Sequence, residues 1–146
     1  MCRVVGFNLL SQMQRAVSSG RFQQLVSKLA PQVKTISALE LSKSTPLLLD
    51  VRETYEWNEQ HIPSAVYTGR GCLERDIEGL VPDLKEKIVL YCAAGHRSVV
   101  AAHTLQQMGY GNVFSLKGGL QAWKDEGLPL QNNLETFSAR LQSLSE

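Results

Sequence analysis

Cysteine is scarce in this chain of 146 residues: Cys2, Cys72 and Cys92, with no CxxC pair and no His/Cys set at zinc-ligand spacing. An odd, scattered count argues against a disulfide scaffold and against a structural metal site. A thiol that must stay free fits a reducing compartment. No apolar run approaches the length that crosses a bilayer. Neither GxxxxGK[ST] nor GxGxxG occurs, so no nucleotide site is indicated, and there is no internal repeat or low-complexity tract. Excess charge is missing as well. The net charge of +1 gives no ground for a nucleic-acid or membrane partner, so local clusters matter more than the total. What remains is a composition ordinary for one globular domain, long enough to bury a core without disulfides or metal.

Acidic residues are absent before Glu40, where five basic ones stand: Arg3, Arg15, Arg21, Lys28 and Lys34. That balance resembles a mitochondrial transit composition. The other reading is a helical extension over 1–32, broken at Ser18, Ser19 and Gly20 and stopped at Pro31, whose Phe22, Leu25, Val26 and Leu29 form a packing face. We read it as the extension and expect a cytoplasmic protein, with mitochondria the alternative.

The informative stretch is 88–110, IVLYCAAGHRSVVAAHTLQQMGY. Residues 88–91 are a short apolar run of the kind that forms a strand buried on both faces. From Ser98 the period becomes helical through Ala101, Leu105 and Met108, and Gly109 stands where a left-handed cap ends the helix. Between them Ala93, Ala94, Gly95, His96 and Arg97 make a turn whose small residues leave backbone amides free to face an anion. Cys92 opens that turn. A thiol becomes a useful nucleophile as thiolate, which cations and helix N-termini favour. Here His96, Arg97 and the helix start supply both, and successive amides can nest a negative sulfur. A buried structural cysteine is the plain alternative.

Strands are expected over 33–37, 47–51, 65–68 and 112–116, alternating with helices, and this order predicts an α/β domain with a largely parallel sheet flanked by helices. Ser37 and Glu40 carry a capping-box pattern. Asp50 and Arg52 follow the second strand at the edge where open α/β sheets place their sites, as an ion pair or a helix cap. Glu53 and Glu56 read as solvent or helix-start charges, and His61 as part of a structural turn. Arg70 reaches the same sheet edge and is the candidate second cation for an anionic donor, or a surface arginine. Cys72 packs at the start of a helix over 73–80, or serves as a resolving thiol. Ser98 reads as a helix cap. Gly118 and Gly119 open a helix containing Leu120 and Trp123, which Gly127 and Pro129 end. Leu134, Phe137, Leu141 and Leu144 share one helical face, so a monomer or weak dimer is expected.

Four segments, LLLDVRETYEW at 47–57, HIPSAVYTGRG at 61–71, YCAAGHRS at 91–98 and LKGGLQAWKDEGLP at 116–129, resemble the rhodanese-like sulfurtransferases in order and spacing. The resemblance spans 33–130, with 1–32 and 131–146 as helical extensions. It implies a rhodanese-like fold and sulfur transfer through a persulfide on Cys92, from a small sulfur-containing anion such as thiosulfate to cyanide, a thiol or a partner protein, with no metal or cofactor. It also implies that Asp50, with Arg52, supports the loop. Related dual-specificity phosphatases and arsenate reductases carry one residue more between cysteine and arginine; the six-residue ring from Cys92 to Arg97 suits a single sulfur better than a phosphate. A sulfur-carrying or regulatory binding module is the alternative of another class.

Overall fold

The computed structural model describes residues 20–133. Cys2, the expected break at Ser18 and Ser19, and the stripe from Leu134 to Leu144 lie outside them. In chain order the elements are α1 (Arg21–Leu29) with a short 3-10 turn (Ala30–Gln32), β1 (Lys34–Ile36), α2 (Ala38–Ser42), β2 (Leu47–Asp50), α3 (Thr54–Glu59), β3 (Val66–Tyr67), α4 (Leu73–Leu80), β4 (Ile88–Tyr91), α5 (His96–Gln107), β5 (Val113–Leu116) and α6 (Gly119–Asp125). All five strands are parallel, in the order β1-β5-β4-β2-β3. The expected parallel α/β sheet between helices is what forms.

Strand β4 is central and fully buried. Its period of two splits the core: Ile88, Leu90 and Cys92 face the layer of α1, α4 and α5, whereas Val89 and Tyr91 face the layer of α2 and α6. Each such apolar side chain is worth about 1.5–3 kcal/mol on burial, so a slip of one residue would reverse both layers. That cost fixes Cys92 on the α5 side at the carboxyl edge of the sheet.

Several expectations need correcting. Helix α5 begins at His96, not Ser98, because Gly95 takes a left-handed φ of 95° as its N-cap and turns the chain two residues sooner. Helix α1 packs on α5 through Phe22, Val26 and Leu29, but Leu25 stands at the edge of that face and is 43% exposed. Helix α1 does stop at Leu29, just before Pro31, which lies in the 3-10 turn that follows. The Ser37 cap forms as read, its Oγ accepting from Glu40 N at 3.2 Å. Among the described residues no helix is long and apolar enough to cross a membrane.

Candidate active site

The turn from β4 into α5 wraps around one sulfur. Cys92 is 1% exposed, and its Sγ accepts from the amides of Gly95 (3.2 Å) and Ser98 (3.4 Å). The start of the twelve-residue α5 adds its partial positive charge. Among the described residues nothing accepts from the amides of Ala94, His96 or Arg97, and Ala94 is exposed while His96 and Arg97 are half-buried. Three donors of the turn and the first helical residues are thus left unpaired, as a helix start leaves them. The local sequence permits this because Ala93, Ala94 and Gly95 put no long side chain in the ring.

The loop is clamped from behind by α6. Its first amides, at Leu120 and Gln121, donate to the carbonyls of Cys92 (2.8 Å) and Ala93 (3.0 Å), so donors that every helix start leaves unsatisfied are spent on the reactive turn. The contact is close because residue 119 is glycine: a Cβ there would lie 2.5 Å from the Cys92 carbonyl oxygen. The glycine pair at 118–119, which sequence reading sets aside once a nucleotide site is rejected, is the part of the site it missed. Ser98 is a second correction. Gly95 is the N-cap, without a side-chain cap bond, and the Ser98 hydroxyl is turned inward, 3.4 Å from Sγ and 2.8 Å from Ser115 Oγ.

The charged residues sort differently from expectation. Arg97 is not a free cation but forms a two-pronged pair with Glu56, Nη1 and Nη2 donating at 2.9 and 3.0 Å. That hydrogen-bonded carboxylate, with burial opposing and Cys92 adding a smaller attraction, holds the guanidinium well above its ordinary range. Glu56 also donates structure to its own helix, since its carboxylate accepts from Glu53 N at 2.8 Å in a capping box. It is therefore a helix-start charge as read, but one that also anchors the loop arginine across 41 residues of sequence.

Asp50 and Arg52 form a buried pair at 2.8 Å, and Arg52 also donates to the Gln60 carbonyl at 2.6 Å. No hydrogen bond joins either to residues 93–97 among the described residues. Through Gln60 the pair meets the C-terminal end of α3, the helix that carries Glu56. Burial, followed by the neighbouring Asp50, pushes the Tyr91 phenol far above its usual range. It therefore stays protonated, with Oη accepting from Ile62 N at 3.2 Å. His61 is structural as read, donating from Nδ1 to the Trp57 carbonyl at 2.9 Å and stacking on the Trp57 ring at 3.6 Å. Arg70 does not hydrogen-bond to the loop; it pairs with Glu74 and donates to Thr104 at 3.4 Å. Thr104 lies more than two turns past the start of α5, about 12 Å along its axis. Cys72 is exposed at the start of α4 rather than packed. No group of three His, Cys, Asp or Glu among the described residues could hold a metal ion.

The Glu56–Arg97 pair carries a pH signature. Although burial pushes the Glu56 carboxyl up, Arg97 and the Glu53 amide pull it down further, so the net shift is downward. A depressed carboxyl contributes stability that is complete above its unfolded pKa and is lost as pH falls through the folded value. The stability difference between wild type and Glu56→Gln should therefore be full near pH 6 and shrink below about pH 4. Thermal unfolding of both proteins across this range reads it, and a difference independent of pH would remove the ion pair from the account.

Comparison with known proteins identifies the domain. A family model described as a rhodanese-like domain matches residues 34–126. A sulfurtransferase of Allochromatium vinosum is 36% identical over 84 residues, covering 58% of this chain and 77% of the relative. The thiosulfate sulfurtransferase GlpE of Coxiella burnetii is 31% identical over 94 residues, covering 64% and 86%. Among solved structures, a Rhodopseudomonas palustris protein of unknown function, described as a possible tyrosine phosphatase, superposes with a TM-score of 0.69 at 27% identity, covering 75% of this chain and 93% of that one. With the family model spanning more than half its length, the chain belongs to the rhodanese-like sulfurtransferase family.

Proposed function

We propose that the protein moves a sulfane sulfur from a donor such as thiosulfate to a thiophilic acceptor through a persulfide on Cys92. The observation that carries this reading is a single buried sulfur at the turn from β4 into α5, its Sγ accepting from two backbone amides while those of Ala94, His96 and Arg97 are unpaired among the described residues. In the first half-reaction the Cys92 thiolate attacks the outer sulfur of the donor. A new S–S bond forms, the donor's S–S bond breaks, and with thiosulfate sulfite leaves with the bonding pair. The negative charge then sits on the outer sulfur, and the unpaired amides of Ala94, His96 and Arg97 are the donors available to it. In the second half-reaction cyanide or a thiol attacks that outer sulfur, and the electron pair of the broken bond returns to Sγ. Each step is a displacement at sulfur, so neither calls for a metal or cofactor. Because Cys92 must stay reduced between turnovers, we place the protein in a reducing compartment, the cytoplasm first.

Incubation with thiosulfate should add the mass of one sulfur atom to the intact protein, on the Cys92 peptide, and cyanide should remove it. Cys92 that never gains sulfur from thiosulfate or from a small-molecule persulfide would sink the reading. A second reading, a sulfur-carrying module served by a persulfide donor, is favoured by one observation. Both arginines proposed for an anionic donor already hold carboxylates, Arg97 with Glu56 and Arg70 with Glu74. Faster loading from a persulfide than from thiosulfate would select it.

A further inference from the structure

Strand β5 buries a hydroxyl among hydrocarbon. Ser115 is 1% exposed and lies between Leu90 of β4 and Thr35 of β1 in the parallel register. A buried hydroxyl without a partner costs free energy, and alanine would cost none. Its partner is Ser98 Oγ, 2.8 Å away and itself fully buried, which in turn lies 3.4 Å from Cys92 Sγ. Three elements, β4, α5 and β5, thus contribute one side chain each to an enclosed row of sulfur, hydroxyl and hydroxyl, with Ser115 at the blind end. Among the described residues Ser115 makes no other side-chain hydrogen bond.

We propose that Ser115 is a positioning residue for the sulfur chemistry: it holds the Ser98 hydroxyl against Cys92 so that this hydroxyl donates to Sγ whenever Sγ carries negative charge. The assignment rests on the persulfide reading of Cys92. When the sulfur is protonated, its S–H donates to Ser98 and Ser98 donates to Ser115. When it is a thiolate, both hydroxyls turn, Ser115 donating to Ser98 and Ser98 to Sγ. A hydroxyl serves either direction, and each bond in such a row polarises the next. The row ends inside the core, so the thiol proton leaves on the side of Sγ away from it. In the persulfide the charge has moved to the outer sulfur and Sγ has little to accept. As the acceptor attacks, the Sγ–S bond breaks, the electron pair returns to Sγ, and the row turns toward it. The row therefore assists departure of Sγ more than its attack, since stabilising a thiolate improves it as a leaving group and tempers it as a nucleophile.

The test is Ser115→Ala, read in two ways: the pH profile of Cys92 alkylation by iodoacetamide, followed on the Cys92 peptide, and the rate at which cyanide discharges preloaded persulfide. The alkylation midpoint should move to higher pH without loss of rate at the alkaline plateau, and discharge should slow roughly threefold or more. In a Ser98→Ala background, Ser115→Ala should add nothing to the alkylation shift. Should alanine cost the fold, the isosteric pair Ser115→Thr and Ser115→Val carries the same comparison, the threonine behaving as wild type and the valine as alanine. An unmoved profile in Ser115→Ala, or a shift of equal size in the Ser98→Ala background, overturns the assignment. Alkylation reads Cys92 whether or not it accepts sulfur, so failure of the transfer reading appears separately, as a wild-type protein that never loads.

Discussion

Replacing Cys92 by serine should abolish sulfur loading while leaving the fold intact. The expected loss in persulfide formation is at least about a thousandfold, because an alcohol in this site remains protonated at neutral pH and cannot offer the polarisable anion that displacement at sulfur requires. Structure should be spared for equally local reasons. The side chain is 1% exposed, and the donors that face Sγ, the Gly95 and Ser98 amides, can serve an oxygen in nearly the same place. The change in stability should stay within about 1 kcal/mol. Thermal unfolding and intact mass after thiosulfate treatment measure the two halves. A Cys92→Ser protein that still transfers sulfur would move the chemistry elsewhere, and a variant that unfolds would make Cys92 a packing residue first.

The features that could be read beforehand are those encoded by neighbours in sequence. The apolar run at 88–91 and the switch to helical period after it place Cys92 at a strand-to-helix turn, and the structure puts it there. Helix α4 has the bounds its pattern predicts, because Leu73, Ile77 and Leu80 recur at helical spacing and Pro82 follows closely. Hydrophobic period puts the start of α5 two residues late for a physical reason. His96 and Arg97 are polar and half-buried, so hydrophobic period is silent over the first turn, and only the φ of Gly95 marks it.

What sequence could not supply is pairing across distance. Glu56 and Arg97 stand on different helices, and neither carries a local sign that it belongs with the other. Ser115 reads as a polar interruption of a buried strand until Ser98 is seen beside it. Arg70 has the right position along the chain, yet the side chain turns to Glu74 one helical turn on, a partner that i,i+4 spacing could have suggested. Leu25 shows the converse: positions 22, 25, 26 and 29 share one helical face by spacing, yet Leu25 stands at its edge and is left exposed while Val26 and Leu29 are buried.

Substitution of Gly119 by alanine should damage both stability and reactivity, although residue 119 carries no chemistry. Its φ is 59°, in the left-handed region, where a side chain costs about 1–2 kcal/mol. The added Cβ would also stand 2.5 Å from the Cys92 carbonyl oxygen and 2.7 Å from the carbonyl carbon and oxygen of Ala93. These atoms are backbone and cannot swing aside as a flexible side chain would. Relief requires α6 to back away from the turn, which breaks the bonds from Leu120 N and Gln121 N to those carbonyls. Overpacking of this kind adds about 1–3 kcal/mol, and a combined loss of about 3–4 kcal/mol corresponds to a fall in Tm of roughly 10 °C for a chain of this size. Because the displaced carbonyls belong to the turn that aims the Gly95 and Ser98 amides at Sγ, alkylation of Cys92 at neutral pH should slow as well. Gly79→Ala is the control: nothing lies within 4 Å of its added Cβ, and alanine inside α4 should leave Tm unchanged or slightly raised. A Gly119→Ala protein that melts with wild type and loads sulfur at the wild-type rate would show that α6 does not hold the turn, and that the fold of residues 92–97 sets the site unaided.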